Sequence, residues 1–307
     1  MPVVTSDFLE ALRTNYRALF ASSFAAYENQ QDWGPLAMRM DSDSEQNSYN
    51  WLGTSPKMQK VTHGQVKKED LPPFNFTIVN DEWQNAIEVE RAALERDKLS
   101  LIPPRIMGLA LEAARHPGEL IMQLFVDNPV AFDNVTFFND TRVIGKSANI
   151  DNIRAGTGVT VAAFQTDLGV ARGVMRKFQD DQGRPMNLVG NVIVVPAELE
   201  QLAYQAINAD QEYNAGVVPA AGAVSRRGYT ILVNPFLSDA NDWFLLHDGG
   251  EAARPFIYQT EKEPELLADT DPNTRAAIET RKFLYSGYGR YNAGVADPRF
   301  AVKTTNT

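Results

Sequence analysis

The sequence predicts a mixed helix-and-strand protein in which a compact α/β unit is inserted between one long helix and a set of closing strands. Two observations carry that prediction. Apolar residues keep helical spacing through 103–127, at Ile106, Leu109, Ala110, Ala113, Leu120, Ile121, Leu124 and Phe125. From about residue 150 to 240 helix and strand patterns alternate, before the tail returns to short strands. A length of 307 residues is ample for a real core and is compatible with two domains.

The N-terminal segment reads as a helix. Thr5 or Ser6 caps it, Asp7 suits its positive end, and Phe8, Leu9, Leu12, Tyr16, Leu19, Phe20, Phe24 and Tyr27 form one stripe. Such a stripe serves either a helix packed on its own domain or an arm packed on a neighbour. Residues 31–47 are polar and broken by Gly34 and Pro35, which predicts a connector. The stretch that follows sets Trp51, Leu52, Met58 and Val61 among Gly53, Pro56, Gly64, Pro72 and Pro73. It also carries Lys57, Lys60, Lys67 and Lys68. Alternation over 74–79 and 87–89 supplies a return limb, so the segment predicts a long hairpin. Loops of this length inside compact domains are usually functional.

Pro103 and Pro104 mark the start of the long helix, where a missing N–H costs nothing. Pro117 would normally end it, but the apolar stripe holds its phase, which predicts one kinked helix. Within 150–240, "TDLGVARGVMRKFQDDQG" predicts a helix with Thr166 as cap and Gly183 as stop. "NVIVVP" and "YTILVN" predict strands, "AELEQLAYQAI" a second helix, and "NAGVVPAAGAVSRRG" a loop. In the tail, "WFLLH" and "RPFIYQ" read as strands, "EKEPELLADTDPNTRAA" as an acidic loop, and "TRKFLYSGYGRYNAGV" as ending in strand.

Composition narrows the chemistry. Apolar residues are 44% and charged residues 22%, ordinary for a globular protein. No run approaches the roughly 18 apolar residues that span a bilayer, and the N-terminus lacks a basic region followed by an apolar run, so an intracellular product is expected. The absence of cysteine removes disulfides and thiolate chemistry. A net charge of -10 argues against indiscriminate duplex binding.

No motif assembles a catalytic, metal or cofactor site. His63, His116 and His247 lack metal-ligand spacing. No G-x-S-x-G or P-loop occurs, and "GTGVTV" at 156–161 lacks the third glycine of a dinucleotide fingerprint and opens a strand-like run. Asp269, Asp271 and Asn273 match a calcium loop at its first three ligands, but Thr274 and Thr280 replace its glycine and its bidentate glutamate. Asp180 beside Asp181, and Asp248 near Glu251, are paired in sequence, which does not make a shared pocket.

Five blocks in order carry a family likeness: "FLEALRTNYRALFASSF", "YNWLG", "AARHPGELIMQLF", "RKFQDDQGRPMNLVGNVIVVPAELEQLA" and "DWFLLHDGGEAARPFIYQTEKEPELLADTD". Together they resemble the major head subunit, a major capsid protein, of Mu-like phages and prophages. The resemblance implies the Hong Kong 97-type α+β fold of tailed-phage capsid proteins. It assigns 1–47 to an N-terminal arm and 48–90 to an extended hairpin loop. It assigns 91–149 and 241–307 to a peripheral domain with a spine helix at 103–127, and 150–240 to an axial domain.

The resemblance further implies a virion protein, not an enzyme and without cofactors, assembled in the host bacterial cytoplasm. Copies would form hexamers and pentamers in an icosahedral head around double-stranded DNA, with portal, scaffold or protease, and decoration proteins as partners. The loop would lie over the adjoining subunit, with Trp51, Leu52, Met58 and Val61 in contact and Lys57, Lys60, Lys67 and Lys68 as rim charges. Phe8, Leu12 and Phe20 would serve the arm in assembly. Some relatives crosslink a loop lysine to an asparagine of another subunit, but no specific motif for this is present here. The rival classes are a nanocompartment shell of the same fold, filled with protein instead of DNA, and a soluble α/β enzyme.

Overall fold

Apolar residues at helical spacing lay one face of α1 (Ser6–Glu28) against α2 (Ile102–Asp127). The computed structural model describes residues 6–51, 74–92, 101–208, 228–250, 253–271 and 274–306. Leu9, Tyr16, Phe20 and Phe24 of α1 meet Ile106, Leu109, Ala110 and Ala113 of α2, and both helices cover Leu266, Phe283 and Tyr285 of a sheet. Helix α2 keeps Pro103 and Pro104 in its first turn and continues through Pro117 as one 26-residue helix. It ends at Asn128 in the left-handed conformation (φ 45°), a position asparagine tolerates.

The sheet under these helices has the order β1-β9-β10-β4. Its strands are β1 (Ala37–Asp41), β4 (Asp81–Glu90), β9 (Phe256–Asp269) and β10 (Lys282–Val295). Strand β1 runs parallel to β9, while β10 is antiparallel to both β9 and β4. Two sequence expectations fail here. Residues 31–47 are more than a connector: Trp33 and Leu36 are buried and β1 joins the sheet. The expected acidic loop is largely the second half of β9, followed by the short helix α5 (Arg275–Thr280). The misleading residue is Pro264, which falls where the β9–β10 register skips between Tyr288 and Arg290. An irregularity is where a ladder tolerates a residue without N–H.

A second sheet has the order β5-β11-β8-β6-β7: β5 (Ile153–Ala155), β6 (Val192–Val195), β7 (Thr230–Val233), β8 (Trp243–Leu246) and β11 (Ala301–Thr305). Strands β6 and β8 are buried on both faces. Ile193, Val195, Trp243 and Leu245 join the core under helices α3 (Val161–Lys177) and α4 (Glu200–Asn208). Val192, Val194, Phe244 and Leu246 face the other way, onto Phe125 of α2 and Phe256 of β9. Continuous apolar strands of this kind are what a two-sided burial requires.

The sheet pairing also redraws a boundary. Residues 241–307 do not stay together, because β8 and β11 pair into the sheet with β6 and β7 while β9 and β10 build the other. Long-range pairing between β11 and β5 or β8 leaves no local trace in the sequence. Helix α3 begins directly after the glycine pair at 156 and 158, where a strand-like run was expected. Its cap is Thr160, whose Oγ1 accepts from the Ala163 N–H (3.2 Å); Thr166 sits inside the helix and donates back to the Ala162 carbonyl.

Between α2 and β5 the chain has no regular element of length and is held by side chains. Arg142, 1% exposed, donates to Asp133 (2.6 Å) and to the carbonyls of Val135, Thr136 and Phe137. Asn152, fully buried, accepts from the Asn139 N–H and donates to the carbonyls of Phe137 and Pro298.

Candidate assembly surfaces

Strands β2 (Gln46–Trp51) and β3 (Phe74–Val79) form a separate two-stranded antiparallel ribbon, in register from Gln46 opposite Val79 to Trp51 opposite Phe74. This ribbon is the base of the expected hairpin. Leu52, Lys57, Met58, Lys60, Val61, Lys67 and Lys68, with His63, lie outside the described residues, and Trp51 is described only as the last paired backbone position.

The ribbon is fastened to the first sheet by a polar chain set in an apolar patch. Tyr49 stacks on Phe76 (5.1 Å between centroids) and its hydroxyl donates to Oε1 of Gln259 (2.6 Å). The Gln259 Nε2 donates to Oδ1 of Asn80 (2.7 Å), and the Asn80 amide donates to the Ser44 carbonyl (2.9 Å) and the Ser42 hydroxyl (3.2 Å). Around them Met38, Ile78, Ile257 and Ala296 close a small core. Gln259 is fully buried, so each amide position needs its partner. Burial pushes the Tyr49 hydroxyl pKa up, opposed by a hydrogen bond with the Asn47 side chain. None of these partners was picked out as functional from sequence, since a glutamine in a strand carries no signal of what lies opposite it in space.

The expected arm residues divide. Phe20 is 1% exposed and stacks near Phe24 inside the core of its own molecule, so its assignment as an assembly contact is corrected. Leu12 is partly buried against the same core, and Phe8 is half-buried at the start of the described side chains. Arg17 further ties the helix down by donating to the Leu266 carbonyl (3.2 Å).

The remaining histidines are separate structural groups. His116 shares a hydrogen bond with the Tyr291 hydroxyl (3.0 Å) and packs on Trp83 (4.2 Å between centroids). Burial lowers its pKa, with Glu119 opposing. His247 donates from Nδ1 to the Val189 carbonyl (2.7 Å). Asp180 pairs with Arg184 (2.6 Å). Asp248 pairs with Arg254 (2.9 Å). Among the described residues no group of three or more His, Asp or Glu is placed to hold a metal ion, and no helix is long and apolar enough to cross a membrane.

A two-sheet body with a long spine helix and a ribbon fastened to one sheet is the Hong Kong 97-type fold of tailed-phage capsid proteins. Residues 77–304 match the family described as phage capsid protein, and the chain belongs to that family. The chain is 24% identical over 296 residues to the Mu-like prophage FluMu major head subunit of Haemophilus influenzae, covering 96% of this chain and 72% of that one. It is 25% identical over 160 residues to the major capsid protein of Escherichia phage Mu, covering 49% of this chain and about half (52%) of that protein's length. Among solved structures, the procapsid of bacteriophage JBD30 superposes with TM-score 0.61 at 18% identity, over 99% of this chain and 77% of that one. The capsid of cyanophage P-SCSP1u gives TM-score 0.54 at 12% identity, over 89% and 86% of the two chains.

Proposed function

We propose that this chain is the major capsid protein of a Mu-like phage or prophage, a structural and non-catalytic subunit that assembles into hexamers and pentamers of an icosahedral head. The head encloses double-stranded DNA, and assembly takes place in the cytoplasm of the host bacterium. The observation that carries the reading is the fastened ribbon in a member of the phage capsid family. Its end delivers residues 52–73, with their apolar residues and lysines, from a base that is locked to the sheet. Trp51, Leu52, Met58 and Val61 then bury against an adjoining copy, each contributing about 1.5–3 kcal/mol before ordering costs. Lys57, Lys60, Lys67 and Lys68 set register at the rim.

In this reading α1 is the arm and the β2–β3 ribbon with residues 52–73 the extended loop, while 91–149 with β1, β4, β9 and β10 makes the peripheral domain and 150–240 with β8 and β11 the axial domain. A net charge of -10 suits a wall that encloses DNA without gripping it. Portal, scaffold or protease, and decoration proteins are the further partners; one likened structure is a JBD30 capsid decorated with minor capsid protein trimers. Negative-stain imaging of the expressed protein tests the proposal. Closed shells are expected from the full chain, and folded subunits without shells from a deletion of residues 56–73. Normal particles from the deletion would remove the role given to the loop.

A further inference from the structure

A cavity of about 160 Å³ lies between α2 and strands β4, β9 and β10. It exists because β10 has glycine at positions 287 and 289, between Tyr285 and Tyr291, and a Cβ at Gly289 would come 2.9 Å from the Tyr291 ring. Asn85 fills the hollow left at Gly287, accepting from its N–H (3.2 Å) and donating to the Leu109 carbonyl (3.1 Å). Beyond it the walls are Trp83, His116, Tyr288 and Tyr291, and Glu112 and Glu119 stand at the rim.

Most donors of this pocket are already engaged. Trp83 Nε1 donates to the Tyr291 carbonyl (2.9 Å), the Tyr288 hydroxyl donates to Glu82 (3.0 Å), and the Tyr291 hydroxyl and His116 Nδ1 bond to each other. What remains, beside the second donor of the His116–Tyr291 pair, is acceptor capacity. The indole and phenol rings offer π faces. Glu112 meets Arg115 only at 3.5 Å, with both side chains more than half exposed, a contact of little strength. Ala113 also lines the cavity, and because Pro117 has no N–H, the Ala113 carbonyl has no helical donor four residues on. Tyr288 already accepts one ammonium: Lys262 Nζ, braced by Glu265 (2.8 Å), lies 5.3 Å from its ring centroid.

We infer that this pocket binds an organic cation, the size of a trimethylammonium or guanidinium head, by aromatic faces and two rim carboxylates. The cation comes either from a free small molecule or from a basic side chain of another polypeptide. The site belongs to a single subunit, so it stands or falls independently of particle formation.

The test uses the full chain with choline and its uncharged isostere 3,3-dimethylbutan-1-ol, read by saturation-transfer NMR and calorimetric titration. Choline is expected to bind about tenfold more tightly than the isostere, a preference that Glu112→Gln with Glu119→Gln reduces to about threefold, the part left to the aromatic faces, while the melting temperature is kept. Equal binding of the two probes, binding of neither, or a preference undiminished by the double substitution would each overturn the inference. Repeating the titration on assembled particles separates the sources. Choline bound by subunits but excluded from particles indicates a side chain of a second copy in the pocket. Choline bound by both indicates a free cation.

Discussion

The Tyr49 hydroxyl donates to Gln259 across 2.6 Å, joining positions 210 apart in the chain and fixing the ribbon to the sheet. Gln259 in turn serves Asn80, so one buried amide satisfies two elements. Replacing Gln259 by Leu strands both partners and is expected to cost about 1–3 kcal/mol, whereas Tyr49→Phe, which leaves one acceptor open, costs less. Urea denaturation of the two variants checks the order. Equal stability of wild type and Gln259→Leu would show that the relay does not hold the ribbon.

Phe20→Ser removes a side chain from the core between α1 and the sheet, and a loss of about 3–5 kcal/mol is expected. Particle failure in that variant would report on folding. Phe8→Ser and Leu12→Ser are the informative pair, since both positions are only partly buried. Near-native melting with reduced particle yield is the outcome that assigns them to assembly.

Arg142→Met leaves Asp133 and three carbonyls without their shared donor. A loss of about 3–5 kcal/mol is expected from breaking a buried pair on one side. Restoring neutrality with Asp133→Asn in the same chain should recover part of it, read as a coupling energy in a double-mutant cycle.

His116 packs among Trp83, Tyr291 and Glu119, and burial holds its pKa below the ordinary histidine value. The unfolded chain therefore takes up a proton near pH ~6.5 that the folded protein refuses, and stability falls as pH drops from there toward the depressed native pKa. His116→Gln should flatten that part of the profile. Denaturant midpoints measured from about pH 7.5 to 5 check it; parallel profiles would refute the assignment.

Much of this architecture was legible, and the exceptions share a cause. Helix α2 could be read through Pro117 because the stripe kept its phase, and β6 because four consecutive apolar residues admit few other placements. Strand β1 and the second half of β9 were missed because charged residues alternate there and an irregular register hides Pro264. Gln259, Asn80, Arg142 and Asn85 were missed because their partners are distant or irregular in sequence, and polar contacts of that kind have no period. The candidate surface was legible only as a segment. Its loop residues lie outside the described chain, and Phe20 shows that a helical stripe does not say whose core it enters.

Strands β6 and β8 wear one core on each face. Neither layer of the molecule can therefore slide on a lubricated plane, since any shear must disturb close packing on both sides of the same wall. A subunit built this way answers a sideways push as a stiff tile, tilting whole before it creases.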